Sequence, residues 1–309
     1  MKKAIKILDY FFLLRPTLFY PIWTFFLAGC WGGSRLGKGI DDITHSVESF
    51  WIAVSLTLLM GSIYILNQIQ DVETDRTNKK CFHIADGIIS VKEAYIEAIL
   101  LAVVSLCFGF WVDLRIGIEF AFLFFLGWLY SFPPARWKNR PFMGLFSNGI
   151  LGFICYSLGW IAEGGGGLIK FRMFAYFFAC SAVYLNTTLP DIEGDRKTKK
   201  MTIGVKYGVR KTIVWALILE IITVLMAFFY KDWLLFFASI AVFPLFLIST
   251  IRQSVTAAIQ VTKLSVLSLT LAVCVFFPLY ILPVFGVFFL SRWYYKRRFD
   301  FDYPSFKIE

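Results

Sequence analysis

The stretch Asn67-Gln-Ile-Gln-Asp71-Val-Glu73-Thr-Asp75-Arg76-Thr-Asn-Lys79-Lys80 closes an apolar run that begins at Trp51 and carries almost no charge. A second stretch, Thr187-Thr-Leu-Pro-Asp191-Ile-Glu193-Gly-Asp195-Arg196-Lys-Thr-Lys199-Lys200, closes another apolar run 120 residues later. Residues four apart on a helix stack about one turn apart on one face. Asn67, Asp71 and Asp75 are therefore expected to form one polar stripe, and Asp191 and Asp195 another. Carboxylates beside hydrocarbon are costly unless paired or metal-bound, so acidic clusters at such helix ends are functional candidates. Two facing stripes of this kind would make a cage for divalent metal.

The runs that lead into these motifs set the fold class. The chain has 309 residues, 58% of them hydrophobic, and its mean hydropathy is +0.68. Scanning for apolar segments of about 20 residues, the length that spans a bilayer, places about nine spans. They lie near 11–32, 50–68, 93–112, 116–132, 143–163, 171–190, 211–230, 232–251 and 264–290. The expected fold is an all-α polytopic membrane protein, a single domain with pseudo-repeat halves at about 11–132 and 143–290. Met1 to Gly33 carries Arg15-Pro16 inside its apolar stretch and reads as a retained first helix, not a removable leader. The last run is broken by Pro278 and Pro283, so it reads either as one span or as two short re-entrant pieces that return the basic tail to the other face.

Several function classes fall away. The cysteines at 30, 81, 107, 155, 180 and 274 have no C-x-x-C spacing and lie mostly in spans, which argues against a disulfide framework or a zinc site. His45 and His83 are far apart and have no H-E-x-x-H context. The net charge of +10 does not mark a nucleic-acid binder, because the Lys and Arg residues cluster in short loops between spans. The N-terminus, the loop after the second span, Arg136 to Arg140 and Arg196 to Lys211 are basic, whereas Asp41 to Glu48 is not. This is positive-inside patterning. It puts both acidic motifs on the cytoplasmic face, which for a prokaryotic source means the cytoplasmic membrane. The Gly164 to Gly167 run lacks the Lys-Ser or Lys-Thr of a phosphate loop and reads as a connector.

Oxygen-only motifs suit Mg²⁺, which is usually held by one or two carboxylates plus substrate phosphate oxygens. The cations after each motif, Arg76, Lys79 and Lys80, then Arg196, Lys199 and Lys200, fit the outer oxygens of a diphosphate. A solvated helix end with i,i+4 ion pairs would explain one copy. Two copies with six identical positions out of fourteen make that reading weak. Between them lies Trp128-Leu-Tyr130-Ser131-Phe132-Pro133-Pro134-Ala-Arg136-Trp137-Lys138-Asn-Arg140-Pro141, where proline ends a helix and aims a basic segment at the membrane surface. Helix termination and interfacial anchoring account for its prolines and cations, and an aromatic belt for its tyrosine. The 35 Phe residues exceed what lipid contact requires and could line an isoprenoid tunnel, but no individual residue is assigned to one.

Taken together, N-x-x-x-D-x-x-x-D at Asn67, Asp71 and Asp75, D-x-x-x-D at Asp191 and Asp195, and Tyr130-Ser-Phe-Pro-Pro-Ala-Arg-Trp-Lys138 in that order resemble the UbiA superfamily of intramembrane prenyltransferases. Arg15-Pro16 in the first helix fits the same family, and the resemblance covers roughly residues 10 to 290. It implies about nine transmembrane helices in one bundle around a central cavity. It also implies Mg²⁺-dependent transfer of a prenyl group from a prenyl diphosphate donor to a small-molecule acceptor dissolved in or near membrane lipid. Carried over by position, Asn67, Asp71, Asp75, Asp191 and Asp195 would hold two Mg²⁺ ions bridging the diphosphate. Lys79, Arg196 and Lys200 would contact it, with Tyr130 and Lys138 near the reacting end. Acceptors in the family include hydroxybenzoate, naphthoate, homogentisate, chlorophyllide, haem, glycerol-phosphate lipids and phosphoribosyl diphosphate.

The chain departs from the family pattern at Gln68, where many relatives have Asp. It departs again at Cys81-Phe-His83-Ile-Ala-Asp86-Gly87, where they often read Arg-Pro-Leu-x-x-Gly. Two rival classes fit parts of the pattern. A cation-coupled transporter would also show internal repeats and intramembrane acids, though here the acids lie at span ends and not near the midplane. A silent isoprenoid-binding scaffold would not need the retained aspartates.

Overall fold

The structure, a computed structural model, describes residues 2–34, 47–77, 82–166, 171–198 and 200–304. The regular elements are all helical among these residues: α1 Lys2–Leu13, α2 Phe19–Ser34, α3 Val47–Thr77, α4 Phe82–Ala85, α5 Val91–Val112, α6 Leu114–Ser131, α7 Pro141–Ala162, α8 Met173–Thr187, α9 Ile192–Lys197, α10 Ile203–Phe229, α11 Trp233–Arg252, α12 Val255–Phe276 and α13 Ile281–Phe299. Eight described segments are long and apolar enough to cross a membrane, with Lys6–Ser34 counted as one, and α8 is a shorter apolar helix. The chain is an all-α integral membrane protein.

The end of the chain is in two pieces, as one of the two readings had it, and both are full-length helices. The run read as 264–290 is two helices, α12 and α13, joined by a 3-10 turn at Pro278–Tyr280. Proline disfavours the α conformation in the residue before it, and Phe277 is accordingly non-helical (φ −126°, ψ 70°). Pro278 therefore makes a corner between two helices of 22 and 19 residues instead of interrupting one. Pro283 falls in the first turn of α13, where its missing N–H removes no helical bond.

Cα packing divides the chain into two units. The first comprises Met1–Tyr20, Ile52–Pro134 and Leu279–Glu309, the second Pro21–Trp51 and Ala135–Pro278. The boundaries fall inside α2 and α3, after Pro134 and after Pro278.

In the first unit, α1 stops at Leu13 and Arg15 adopts a left-handed conformation (φ 57°) before Pro16 opens a 3-10 turn. The helix break strips the Leu13 carbonyl of its next-turn donor. Buried Gln68 on α3 supplies one, its Nε2 lying 2.8 Å from Leu13 O and 3.1 Å from Tyr64 O. This gives the departure from Asp at position 68 a structural cause: a carboxylate has no N–H to offer that carbonyl. Ser90 starts α5 with a reciprocal cap, its Oγ accepting from Glu93 N while the Glu93 carboxylate accepts from Ser90 N. Asp113 turns the chain directly into α6 by accepting from Arg115 N at 2.7 Å. The α13 helix packs on α1 through the Phe12 and Tyr294 rings, stacked at 3.7 Å. The Arg298 guanidinium lies 3.1 Å from Asp9, so the basic tail sits at the same end of this unit as the N-terminal helix.

In the second unit, α2 crosses α7 with the two backbones in contact. A Cβ on Gly29 would lie 2.0 Å from Tyr156 O, and one on Gly159 would lie 1.9 Å from Phe26 O. Small residues that let backbones touch are a recurrent way to dock membrane helices. A core of Ala182, Leu185, Ile203, Ala216, Val242, Phe246 and Val261 joins α8, α10, α11 and α12. Glu220 is buried in α10 beside a small cavity, where Ser239 is the hydrogen-bonding neighbour of its carboxyl. At one end of this unit buried Asp232 accepts from Tyr176 at 3.2 Å and pairs with Arg172 at 3.1 Å while capping α11.

Candidate active site

The first acidic motif lies in the last turns of α3, which runs without a break from Val47 to Thr77. Helix geometry thus places Asn67, Asp71 and Asp75 successively one turn apart, and all three are half-buried. Asn67 is fixed from α6: the fully buried Ser131 hydroxyl lies 3.1 Å from its Oδ1. Ser131 was quoted in the sequence only as part of a helix stop. The signal that could have found it is its place beside Tyr130, ahead of two prolines, where a small hydroxyl can meet a facing helix. Arg76, expected among the diphosphate contacts, instead points Nε and Nη2 at Ala85 O, at 3.0 and 2.8 Å. This ties the motif to the loop that follows it. Lys79 lies outside the described residues.

The second motif is built differently. The α8 span ends at Thr187, and Asp191 is the residue before the separate short helix α9 (φ −94°, ψ 3°). Pro190 has no N–H to continue the α8 ladder, so the span breaks there. One turn of the expected relation survives, because Asp195 N bonds to Asp191 O at 2.8 Å, and Lys200 N in turn bonds to Asp195 O at 2.8 Å. The two carboxylates of this motif are therefore neighbours at the cap and in the first turn of a six-residue helix and not on the end of a long one. Asp195 is buried, Asp191 and Lys200 are half-buried, and Arg196 is exposed. Asn186, in the last turn of α8, is 1% exposed and its Oδ1 has no hydrogen-bond partner. It is a further oxygen near this motif in the chain that the D-x-x-x-D pattern did not single out.

Tyr130 stands half-buried in the last turn of α6 in the first unit. Lys138 is buried in the 3-10 turn Trp137–Asn139 of the second unit, entered through the left-handed Arg136 (φ 37°). The structure therefore groups Asn67, Asp71 and Asp75 with Ser131 in one unit, and Asp191 and Asp195 with the Lys200 backbone in the other.

The donor chemistry of both motifs fits Mg²⁺. Every candidate ligand is an amide or carboxylate oxygen, the hard donor type this ion takes. Among the described residues no three His, Cys, Asp or Glu side chains are grouped so that they could hold a metal ion by themselves. The orphaned Asn186 oxygen supports the same fit, since a buried acceptor without a donor is costly unless something electropositive meets it.

Comparison with known proteins points the same way. The sequence model described as the UbiA prenyltransferase family matches residues 22–256. The chain is 28% identical over 184 residues to digeranylgeranylglyceryl phosphate synthase of Methanosphaera stadtmanae, covering 60% of this chain and 66% of that protein. It is 29% identical over 176 residues to homogentisate phytyltransferase of Synechocystis, covering 53% and 57%. Among relatives it also matches a probable homogentisate phytyltransferase 2 of Oryza sativa, of which it spans 46%. Of solved structures, a UbiA homologue from Archaeoglobus fulgidus bound to GPP and Mg²⁺ superimposes with a TM-score of 0.65 at 20% identity, covering 86% of this chain and 99% of that one.

Proposed function

Because the chain belongs to the UbiA prenyltransferase family, we propose that it transfers a prenyl group from a prenyl diphosphate to an aromatic or other lipid-precursor acceptor in the membrane. In this reading one Mg²⁺ is held at Asn67, Asp71 and Asp75, and a second at Asp191 and Asp195. The observation that carries it is the duplicated oxygen-only motif, one copy in the last turns of an apolar helix and the other in the short helix that follows one. The names of the relatives give the reaction class. Both motifs are assigned to the cytoplasmic face on the charge of the adjoining loops.

When bound, Mg²⁺ would neutralise the charge that grows on the departing diphosphate. The chain's own residues orient and screen that group. Lys79, Arg196 and Lys200 offer charge-assisted bonds to phosphate oxygens. Lys138, buried in the 3-10 turn ahead of α7, offers a cation whose field is little screened by water. Tyr130 presents a ring and a hydroxyl for the allylic end. The bond from prenyl C1 to the bridging oxygen breaks with its electron pair leaving on the diphosphate. C1 then bonds to an electron-rich carbon or oxygen of the acceptor, which loses a proton.

The test is diphosphate release by purified protein in lipid, with geranylgeranyl and longer prenyl diphosphates and a panel of aromatic and glycerol-phosphate acceptors. EDTA is expected to abolish release and Mg²⁺ to restore it, with one prenylated product formed. No release from any donor by a folded protein would overturn the assignment. In the same assay Ser131→Ala removes one hydrogen bond to Asn67, worth about 1 kcal/mol. The Mg²⁺ concentration for half-maximal rate is expected to rise about fivefold while the maximal rate holds. An unchanged Mg²⁺ requirement would separate Asn67 from the metal.

A further inference from the structure

Three distant segments of the first unit meet in a buried polar cluster that the proposed reaction does not use. Asp9 on α1 is fully buried. Its Oδ1 receives the Tyr294 hydroxyl, and Arg298 reaches it through Nε to Oδ1 and Nη2 to Oδ2, both at 3.1 Å. The Tyr294 hydroxyl also lies 2.9 Å from Nε2 of His83, itself 1% exposed. A phenol has one proton. With that proton donated to Asp9, the Tyr294 oxygen accepts from His83, which fixes the ring hydrogen on Nε2. Burial pushes the His83 pKa down to about 4, so the ring is neutral near pH 7 and the cluster keeps a single arrangement.

His83 belongs to the segment 82–89, which closes on itself through Ile89 N to His83 O at 2.9 Å. The same segment offers the Ala85 carbonyl that Arg76 grips with two donors, and Arg76 directly follows Asp75. A line of contacts thus runs from α13 through Tyr294, His83 and Ala85 to the end of the first acidic motif. Anchoring alone would not need a buried carboxylate, because Phe12, Phe82 and Phe299 already pack apolar surface here and an isolated buried charge is expensive. A network of directed bonds adds a fixed angle and register, which ring packing does not.

We propose that Tyr294 and His83 are positioning residues, through which α13, lying beyond the family match at 22–256, sets the Arg76–Ala85 tie and so the placement of the first Mg²⁺-binding motif. This rests on the function proposed above. Tyr294→Phe keeps the ring on Phe12 and removes only the hydroxyl. His83→Phe removes the N–H donor, and His83→Gln restores one at similar reach. Three readouts apply to the full-length protein in lipid: amide hydrogen exchange across 82–89, the Mg²⁺-induced thermal shift, and the Mg²⁺ dependence of diphosphate release.

Tyr294→Phe and His83→Phe are expected to speed exchange across 82–89 and to raise the Mg²⁺ concentration for half-maximal effect about five- to tenfold. This is at or below the range seen for partners one layer behind a metal ligand. The rate at saturating Mg²⁺ should stay within about twofold, and His83→Gln should return both readouts toward wild type. Unchanged exchange would overturn the clamp. Faster exchange with an unchanged Mg²⁺ midpoint would overturn the positioning role. If the wild-type protein shows no turnover, the function reading fails, while exchange and the Mg²⁺ thermal shift still decide the proposal.

Discussion

Asp191→Ala is expected to lower Mg²⁺-dependent diphosphate release by about a thousandfold or more, and Asp71→Ala by a similar factor. Losing one fixed group that stabilises developing charge commonly costs a hundred- to a thousandfold, and here the group would also remove a metal ligand. The fold should survive both changes. The local turn at Asp191 is held by its backbone carbonyl, which accepts from Asp195 N at 2.8 Å, and Asp71 sits within a continuous 31-residue helix. Alanine keeps both backbones. Glu73 and Glu193 provide the control. They are identical between the two motif copies but exposed and off the aspartate stripe, so Glu73→Gln and Glu193→Gln should stay within about threefold of wild type. A wild-type rate in either aspartate variant, in protein that elutes and melts normally, would sink the metal assignment.

Gly159→Val should prevent folding or lower the thermal midpoint by about ten degrees. The Cβ would lie 1.9 Å from Phe26 O and 2.8 Å from Cys30 N, both backbone atoms of α2. Neither can turn aside as a flexible side chain would. The helices must separate, and the reciprocal contact of Gly29 with Tyr156 O separates with them. Overpacking of this kind costs about 3 kcal/mol or more where no rotamer can yield. Gly286→Ala, in α13 with nothing within 4 Å of the added carbon, should melt within a degree or two of wild type. A normally folded Gly159→Val would mean that α2 and α7 do not cross as described.

Much of this architecture could be read before any coordinates. Long uncharged runs have few alternatives to membrane helices, and the four-residue spacing of Asn67, Asp71 and Asp75 survives because nothing between them stops a helix. The same spacing holds for Asp191 and Asp195, where Asp195 N bonds to Asp191 O, but not on the end of a long helix. There the proline that the motif itself contains ends α8 and starts a separate short turn, so the two copies share residues without sharing a backbone. The tail stayed open between one span and two pieces for a related reason: Pro278 breaks helical bonding, but whether a break makes a kink or a corner depends on what the next segment packs against. The partners of Asp9 on α13 lie 285 and 289 residues away in the chain. Gln68 looked like a lost ligand until the carbonyl it serves was seen. Ser131, His83 and the glycine crossing matter only through partners brought together by folding, and no local period announces them.

The brevity of α8 has its own result for how the protein sits in lipid. Fifteen residues rise about 22 Å, some 8 Å less than the hydrocarbon layer is thick. Such mismatch is met by thinning the surrounding leaflet or by drawing the helix end inward. Either way the Pro190 break and the acidic turn after it come closer to the plane where acyl chains begin. On the function proposed above, a substrate with a charged head and a long apolar tail would then react without being lifted out of the bilayer.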